Sequence, residues 1–315
     1  MLAEFIKYHA LGNDYIVIDP RVFPFIPIAG AVRAICDRNR GAGSDGILLG
    51  PLASENDLAG LPSGRISPDV VPWVRIFNPD GSEAEKSGNG LRIFCLFLAE
   101  QGYVGGEEFL VGTKGGIVRA KVESLEPPLI SVDMGEPSFS ARKAGLKTDL
   151  SEFVQGKLEL GTESVTATFV SMGNPHCVIF SKNPTPELAK RLGPLVECHP
   201  LFPEKTNVQF AEVLDRHNLK IEIWERGAGY TLASGSSSCA AASVAKRLGL
   251  VVGLVQVRMP GGMLSLDLSG PSVLMTGPAL GIYGGRFSQA MVGGLIIWGA
   301  LGADNPRLAG GKNEA

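Results

Sequence analysis

The chain is built on a repeat. Ile76-Phe77-Asn78 lies 147 positions before Ile223-Trp224-Glu225, and the same offset joins Ser87-Gly88 to Ser234-Gly235 and Gln101-Gly102 to Leu248-Gly249. Nothing is inserted across that unit. Gly115-Gly116 matches Gly261-Gly262 at an offset of 146, and Gly12-Asn13 with Val17-Ile18 matches Gly173-Asn174 with Val178-Ile179 at 161. A repeat of this length predicts two homologous domains rather than a solenoid. The first half is longer by 14 residues, which fits the Pro, Ser and Gly-rich stretch 51–72 as a surface loop of that half alone. The predicted division is 1–143, 144–288 and a C-terminal extension 289–315, with the boundary where the polar run SARKAGLKTD follows the strand-like ISVDMGEP.

Within each half, short alternating segments read as strands around one helix that begins at the repeated Ser-Gly element. Residues 91–99, LRIFCLFLA, are apolar on nearly every face, which predicts a fully buried helix. Its counterpart CAAASVA, 239–245, is small enough for strands to pack closely. The expected class is α+β: two pseudo-twofold-related domains, each a mostly antiparallel sheet wrapped around a central buried helix.

Charge narrows the function. Lys plus Arg number 29 against 32 Asp plus Glu, so no basic excess exists to neutralise a nucleic-acid backbone. The longest apolar stretch, 291–303, is broken by glycine and falls short of the roughly 20 residues a membrane span needs. No signal peptide is apparent, and a cytoplasmic location is expected. Five cysteines without a CxxC pair predict reduced, mostly buried thiols and no metal site.

Both predicted helices open with small residues, Ser87-Gly88-Asn89-Gly90 and Ser234-Gly235-Ser236-Ser237. Ser and Gly commonly only cap helices. Two such N-termini related by a twofold axis would, however, meet at the domain cleft and offer free N–H groups and positive dipole ends to one carboxylate. Ser87 and Ser234 would then stand on opposite sides of a small anionic ligand.

With its flanking stretches, the chain resembles the diaminopimelate epimerase family, cofactor-independent epimerases of lysine and peptidoglycan precursor synthesis. The stretches are HALGNDYIVID, DRNRGAGSDGILL, RIFNPDGSEAEKSGNG, VDMGEP, SMGNPHCVIF, KTNVQF and WERGAGYTLASGSSSCAAA, in family order from about residue 5 to 285. The resemblance implies a substrate in the interdomain cleft, with no pyridoxal phosphate or metal. It implies that Asn13, Asn78, Asn174 and Asn207 bond the ammonium and carboxylate groups of an amino-acid substrate. The converging helix N-termini predict that the reacting carboxylate sits on backbone N–H groups from Gly88 to Gly90, Asn89 included, and from Gly235 to Ser237, Ser236 included, and the resemblance implies that Glu225 with Arg226 holds the distal centre. A homodimer is left open.

One departure stands out. The family carries cysteines as base and acid where this chain has Ser87 and Ser234. A hydroxyl ionises about five pKa units above a thiol, on the order of 7 kcal/mol, of which a helix N-terminus returns about 0.3 to 2. The serines are engineered, or natural in a paralogue of altered chemistry, or the cleft binds without turnover. If another group serves as base, the candidates are Glu85, His176 and Glu225, with Lys86 as a cation next to Ser87. Cys239, inside the apolar helix, reads as structural.

Overall fold

The computed structural model describes residues 3–58 and 60–294. In the first half β1 (Glu4–Ala10), β2 (Asn13–Ile18), α1 (Ala29–Cys36), β3 (Ile47–Leu52), β4 (Trp73–Phe77) and β5 (Glu83–Ala84) precede α2 (Gly88–Glu100). They are followed by β6 (Phe109–Thr113), β7 (Gly116–Leu125) and β8 (Pro128–Asp133). The second half repeats the order after one extra strand: β9 (Gly156–Leu160), β10 (Glu163–Ser171), β11 (Pro175–Phe180), α3 (Pro186–Glu197), β12 (Asn207–Asp215), β13 (Asn218–Glu225), β14 (Gly229–Thr231) and α4 (Gly235–Arg247). It ends in β15 (Leu254–Met259), β16 (Gly262–Asp267), β17 (Leu274–Pro278) and β18 (Leu280–Arg286). The class is α+β, as the sequence predicts.

The two central helices are matched residue for residue. Each has 13 residues, and α4 begins at Gly235, 147 residues after α2 begins at Gly88. Gly88 to Leu98 are all buried, as are Ser237 to Ala245, so sheet surrounds both helices on every side. Pairing also repeats: β2 with β3 and β11 with β12 are parallel, as are β4 with β6 and β13 with β15.

Each half carries a second helix that the one-helix expectation lacks. In the second half it is marked by Thr185, whose hydroxyl accepts from Leu188 N at 3.3 Å, and by Pro186 in the first turn. α1 and α3 lie outside the sheets, where they cover separate apolar clusters formed with β2, β3, β11 and β12. Those strands are therefore buried on both faces. DYIVI and ILLGPL accordingly read as continuous apolar runs instead of alternating ones.

The halves join through β8 and β17, which pair antiparallel over Leu129–Pro278 to Asp133–Leu274. After β17 the chain crosses back, and β18 pairs with β1 of the first half; β9, which follows β8, pairs with β10 within the second half. Residues 289–294 of the expected extension are helical, and Met291 and Val292 pack on the first half's outer cluster. The rest of that extension lies outside the described residues.

Candidate active site

Two turns and two helix tips build the cleft. At the start of each half a glycine in the left-handed region, Gly12 at φ 89° and Gly173 at φ 93°, ends a strand and presents the following asparagine, Asn13 or Asn174. At the centre, α2 and α4 meet tip to tip. A methyl group built on Gly88 would lie 3.3 Å from Gly235 Cα, and one on Gly235 would lie 3.3 Å from Gly88 Cα and 2.9 Å from Met275 Sδ, so a side chain at either position would crowd the opposite tip and Met275.

Around this junction is a cavity of about 770 Å³. Its walls contain both serines and every residue expected to bind substrate: Asn13, Asn78, Ser87, Gly88, Asn89, Asn174, Asn207, Glu225, Arg226, Ser234, Gly235 and Ser236. Lys86 lines it as well, together with Tyr15 and Asp45, which sequence reasoning passed over. Both serines are N-caps. Ser87 Oγ accepts from Gly90 N at 3.0 Å and Ser234 Oγ from Ser237 N at 3.4 Å. The third N–H of each helix is thus taken by the cap, so Gly90 and Ser237 drop out of the expected set of donors and the earlier N–H groups of Gly88, Asn89, Gly235 and Ser236 are left.

The serines have different neighbours. Ser87 Oγ is 3.2 Å from Tyr15 Oη. Burial pushes the Tyr15 phenol up, so it remains a neutral hydroxyl. Ser234 donates to Glu225 Oε1 at 3.4 Å. Burial raises the Glu225 carboxyl from 4.5 to about 7, against the lowering effect of the Ser234 hydrogen bond and with a further push from the Asp45 charge. Glu225 thus lies at the serine end of the cleft, while the adjacent Arg226 diverges from it. The Arg226 backbone N–H is held by Asn207 Oδ1 at 3.0 Å and its guanidinium turns to Glu204 O at 3.4 Å.

The asparagines are fixed from behind. Asn13 donates to Asp45 Oδ2 at 2.9 Å and accepts from Asn89 Nδ2 at 3.0 Å, and Asp45 is anchored by Arg38 at 2.7 Å. Asn78 donates to Ser82 Oγ at 3.0 Å, and Asn207 to Pro175 O at 2.9 Å. Asn174 Oδ1 accepts from His176 Nε2 at 2.9 Å, while Gln209 Nε2 donates to His176 Nδ1 at 3.0 Å and to Ser237 Oγ at 3.0 Å. That pattern assigns His176 as the neutral Nε2–H tautomer, and burial pushes its pKa down to about 3. His176 holds Asn174 and does not line the cavity, and neither does Glu85. Cys239 is fully buried, and its thiol is pushed up to about 12 by burial.

The model of the family described as diaminopimelate epimerase matches residues 5–140 and 168–281. The chain belongs to the diaminopimelate epimerase family. Among its relatives, the diaminopimelate epimerase 2 of Nostoc sp. is 48% identical over 84% of this chain and 88% of its own length. The diaminopimelate epimerase of Moorella thermoacetica is 38% identical over 90% and 99%. The fold is shared more widely. A hydroxyproline epimerase from Agrobacterium vitis superposes with a TM-score of 0.62 at 14% identity over 90% of both chains. A methylitaconate-Δ-isomerase does so with 0.55 at 14% identity over 93% of this chain and 97% of its own. Membership of the epimerase family makes the chain an isomerase by class. Among the described residues, no helix is long and apolar enough to cross a membrane.

Proposed function

We propose that the cleft binds LL- and meso-diaminopimelate and moves the Cα proton between two faces, with Ser87 and Ser234 in the positions of base and acid. The observation that carries this reading is the tip-to-tip meeting of two helix N-termini with one capping serine on each side. A carboxylate on those N–H groups holds Cα between the two hydroxyls, and the same donors stabilise the charge that gathers on the carboxylate as Cα–H breaks. Arg226 at the cleft rim suits the distal carboxylate, which a guanidinium can bind through two parallel hydrogen bonds. The name carried by the relatives supports the choice of diamino diacid. The test is incubation with LL-diaminopimelate in D2O. Deuterium at Cα together with the meso form is expected, and no exchange above the uncatalysed rate would remove the catalytic part of the reading.

A second reading, an isomerase of this fold with a carboxylate base, is favoured by the 3.4 Å contact between Ser234 and Glu225. Here the Cα proton passes to Ser234 Oγ as the Ser234 proton passes to ionised Glu225. On the other face the Ser87 hydroxyl gives its proton to Cα and regains one from solvent, while Glu225 releases the proton it took to solvent, which restores both groups. The alkoxide left on Ser87, supported by Tyr15, is the costly species and makes turnover slow. Glu225→Gln separates the readings: it abolishes exchange if Glu225 is the base, and leaves slow exchange if the serines act alone.

A further inference from the structure

Arg92 lies one turn into α2, four residues past Gly88, and is fully buried. Arginine at such depth is ordinarily paired with an acid, because an uncompensated charge in the interior costs several kcal/mol. Among the described residues no ion pair includes Arg92. Its contacts are all neutral. Nη2 donates to Asn89 Oδ1 at 2.9 Å, Nη1 reaches Gly88 O and Met275 Sδ at 3.4 Å, and Nε donates to Pro278 O at 3.2 Å. Burial lowers the guanidinium to about 10, so it keeps its charge at neutral pH.

The surroundings repeat the sign. Arg92 is next to the positive end of α2, which faces the positive end of α4. Lys86, half-buried in the cleft wall with Nζ donating to Met134 O at 3.1 Å, is a second cation near the same junction. Two of the groups that hold the guanidinium, Gly88 and Asn89, are themselves cleft wall, and Asn89 passes the contact on to Asn13. The protein supplies hydrogen bonds to this charge and no counter-ion, and the cleft opens where a ligand carboxylate would supply one.

We propose that Arg92 is a positioning and specificity residue: its fixed charge, held behind Gly88 and Asn89, makes the cleft select a carboxylate over a neutral amide at the reacting centre. The proposal rests on the reading that a ligand carboxylate sits on the two helix tips. The competing account is that Arg92 is only a clamp between halves, since Pro278 and Met275 belong to β17.

The experiment titrates alanine and alaninamide by NMR, and diaminopimelate by calorimetry, into wild type, Arg92→Lys, Arg92→Met and Arg92→Gln. Wild type should prefer alanine over alaninamide by roughly tenfold or more, and 0.5 M NaCl should leave the preference in place because a buried charge is poorly screened. Arg92→Lys should keep the preference within about threefold, and the neutral variants should reduce it about fivefold or more. Equal weakening of both ligands in a neutral variant, or an unchanged preference, would overturn the proposal in favour of the clamp. Failure of both neutral variants to fold while Arg92→Lys folds would do the same. Wild type that discriminates alanine from alaninamide but ignores diaminopimelate would remove the substrate assignment and leave Arg92's role standing. Wild type without discrimination removes both.

Discussion

The carboxyl of Glu225 gives the cleft a measurable signature in folding stability. Its pKa is near 4.5 in an unfolded chain and about 7 in the folded one, with burial as the main cause. Below pH 4.5 both states carry the proton and the group is neutral to stability. Between 4.5 and 7 the unfolded chain releases its proton while the folded one retains it, so stability falls as pH rises and is lowest above 7. A shift of that size corresponds to about 3 kcal/mol at 1.36 per unit, an upper bound because the cleft admits water on one side. Glu225→Gln removes the titration and keeps the Ser234 hydroxyl a partner. Urea unfolding from pH 4.5 to 8.5 should therefore show wild type losing on the order of 2 to 3 kcal/mol relative to the variant, with the midpoint of the difference between 4.5 and 7. Parallel curves for the two proteins would show that Glu225 is solvated and that burial does not raise its pKa.

Three further outcomes follow from the same geometry. His176 titrates in the opposite sense: its folded pKa of about 3 lies below the 6.5 of an unfolded chain, so its contribution is complete above pH 6.5 and is lost as pH falls toward 3. The loss is several kcal/mol at most, on the order of 1.36 per pKa unit, and His176→Gln should flatten the acid limb of the stability profile. Ser87→Cys/Ser234→Cys should raise Cα deuterium exchange by roughly a thousandfold, since about five pKa units separate the acids and only part of that difference reaches the rate; no gain would show that the rest of the site is not an epimerase site. Arg226→Ala should weaken diaminopimelate roughly tenfold or more while changing alanine less than about twofold, as measured by calorimetry and NMR titration. Equal losses would place the distal carboxylate elsewhere.

Much of the cleft could be read from residue order because the repeat couples local signals across the molecule. A Ser-Gly helix start is common, but two at a fixed offset place both tips on one axis, and the asparagine turns follow the same symmetry. What escaped has physical reasons. α1 and α3 are short outer helices whose cover turns β2, β3, β11 and β12 into unbroken apolar runs, and a run buried on both sides carries no period of its own. Asp45 sits in a glycine-rich loop that reads as a turn, and its role comes from Arg38 in the same loop region and from Asn13, 32 residues away in sequence. Tyr15 is preceded by the same Gly-Asn turn as His176, yet only the fold shows that one touches a capping serine and the other does not. Arg92 was visible as a lone charge inside LRIFCLFLA, though helical periodicity alone gives it no partner.

The exchanged strands set how the halves can move and how they came together. Only Ala279 separates β17, which pairs with β8, from β18, which pairs with β1, so the second half closes the first half's sheet without slack. This tight crossing means that widening the mouth has to bend the joined sheet instead of sliding one lobe past the other. The first lobe made alone would lack β18 and expose the edge of β1. Two copies of one lobe that traded this strand would already bring two helix tips and two capping side chains to a shared axis. A site able to treat both hands of an amino acid alike can therefore arise from dimerisation first, with fusion of the two copies only later freeing Tyr15, Asn78, His176 and Glu225 to become different from one another.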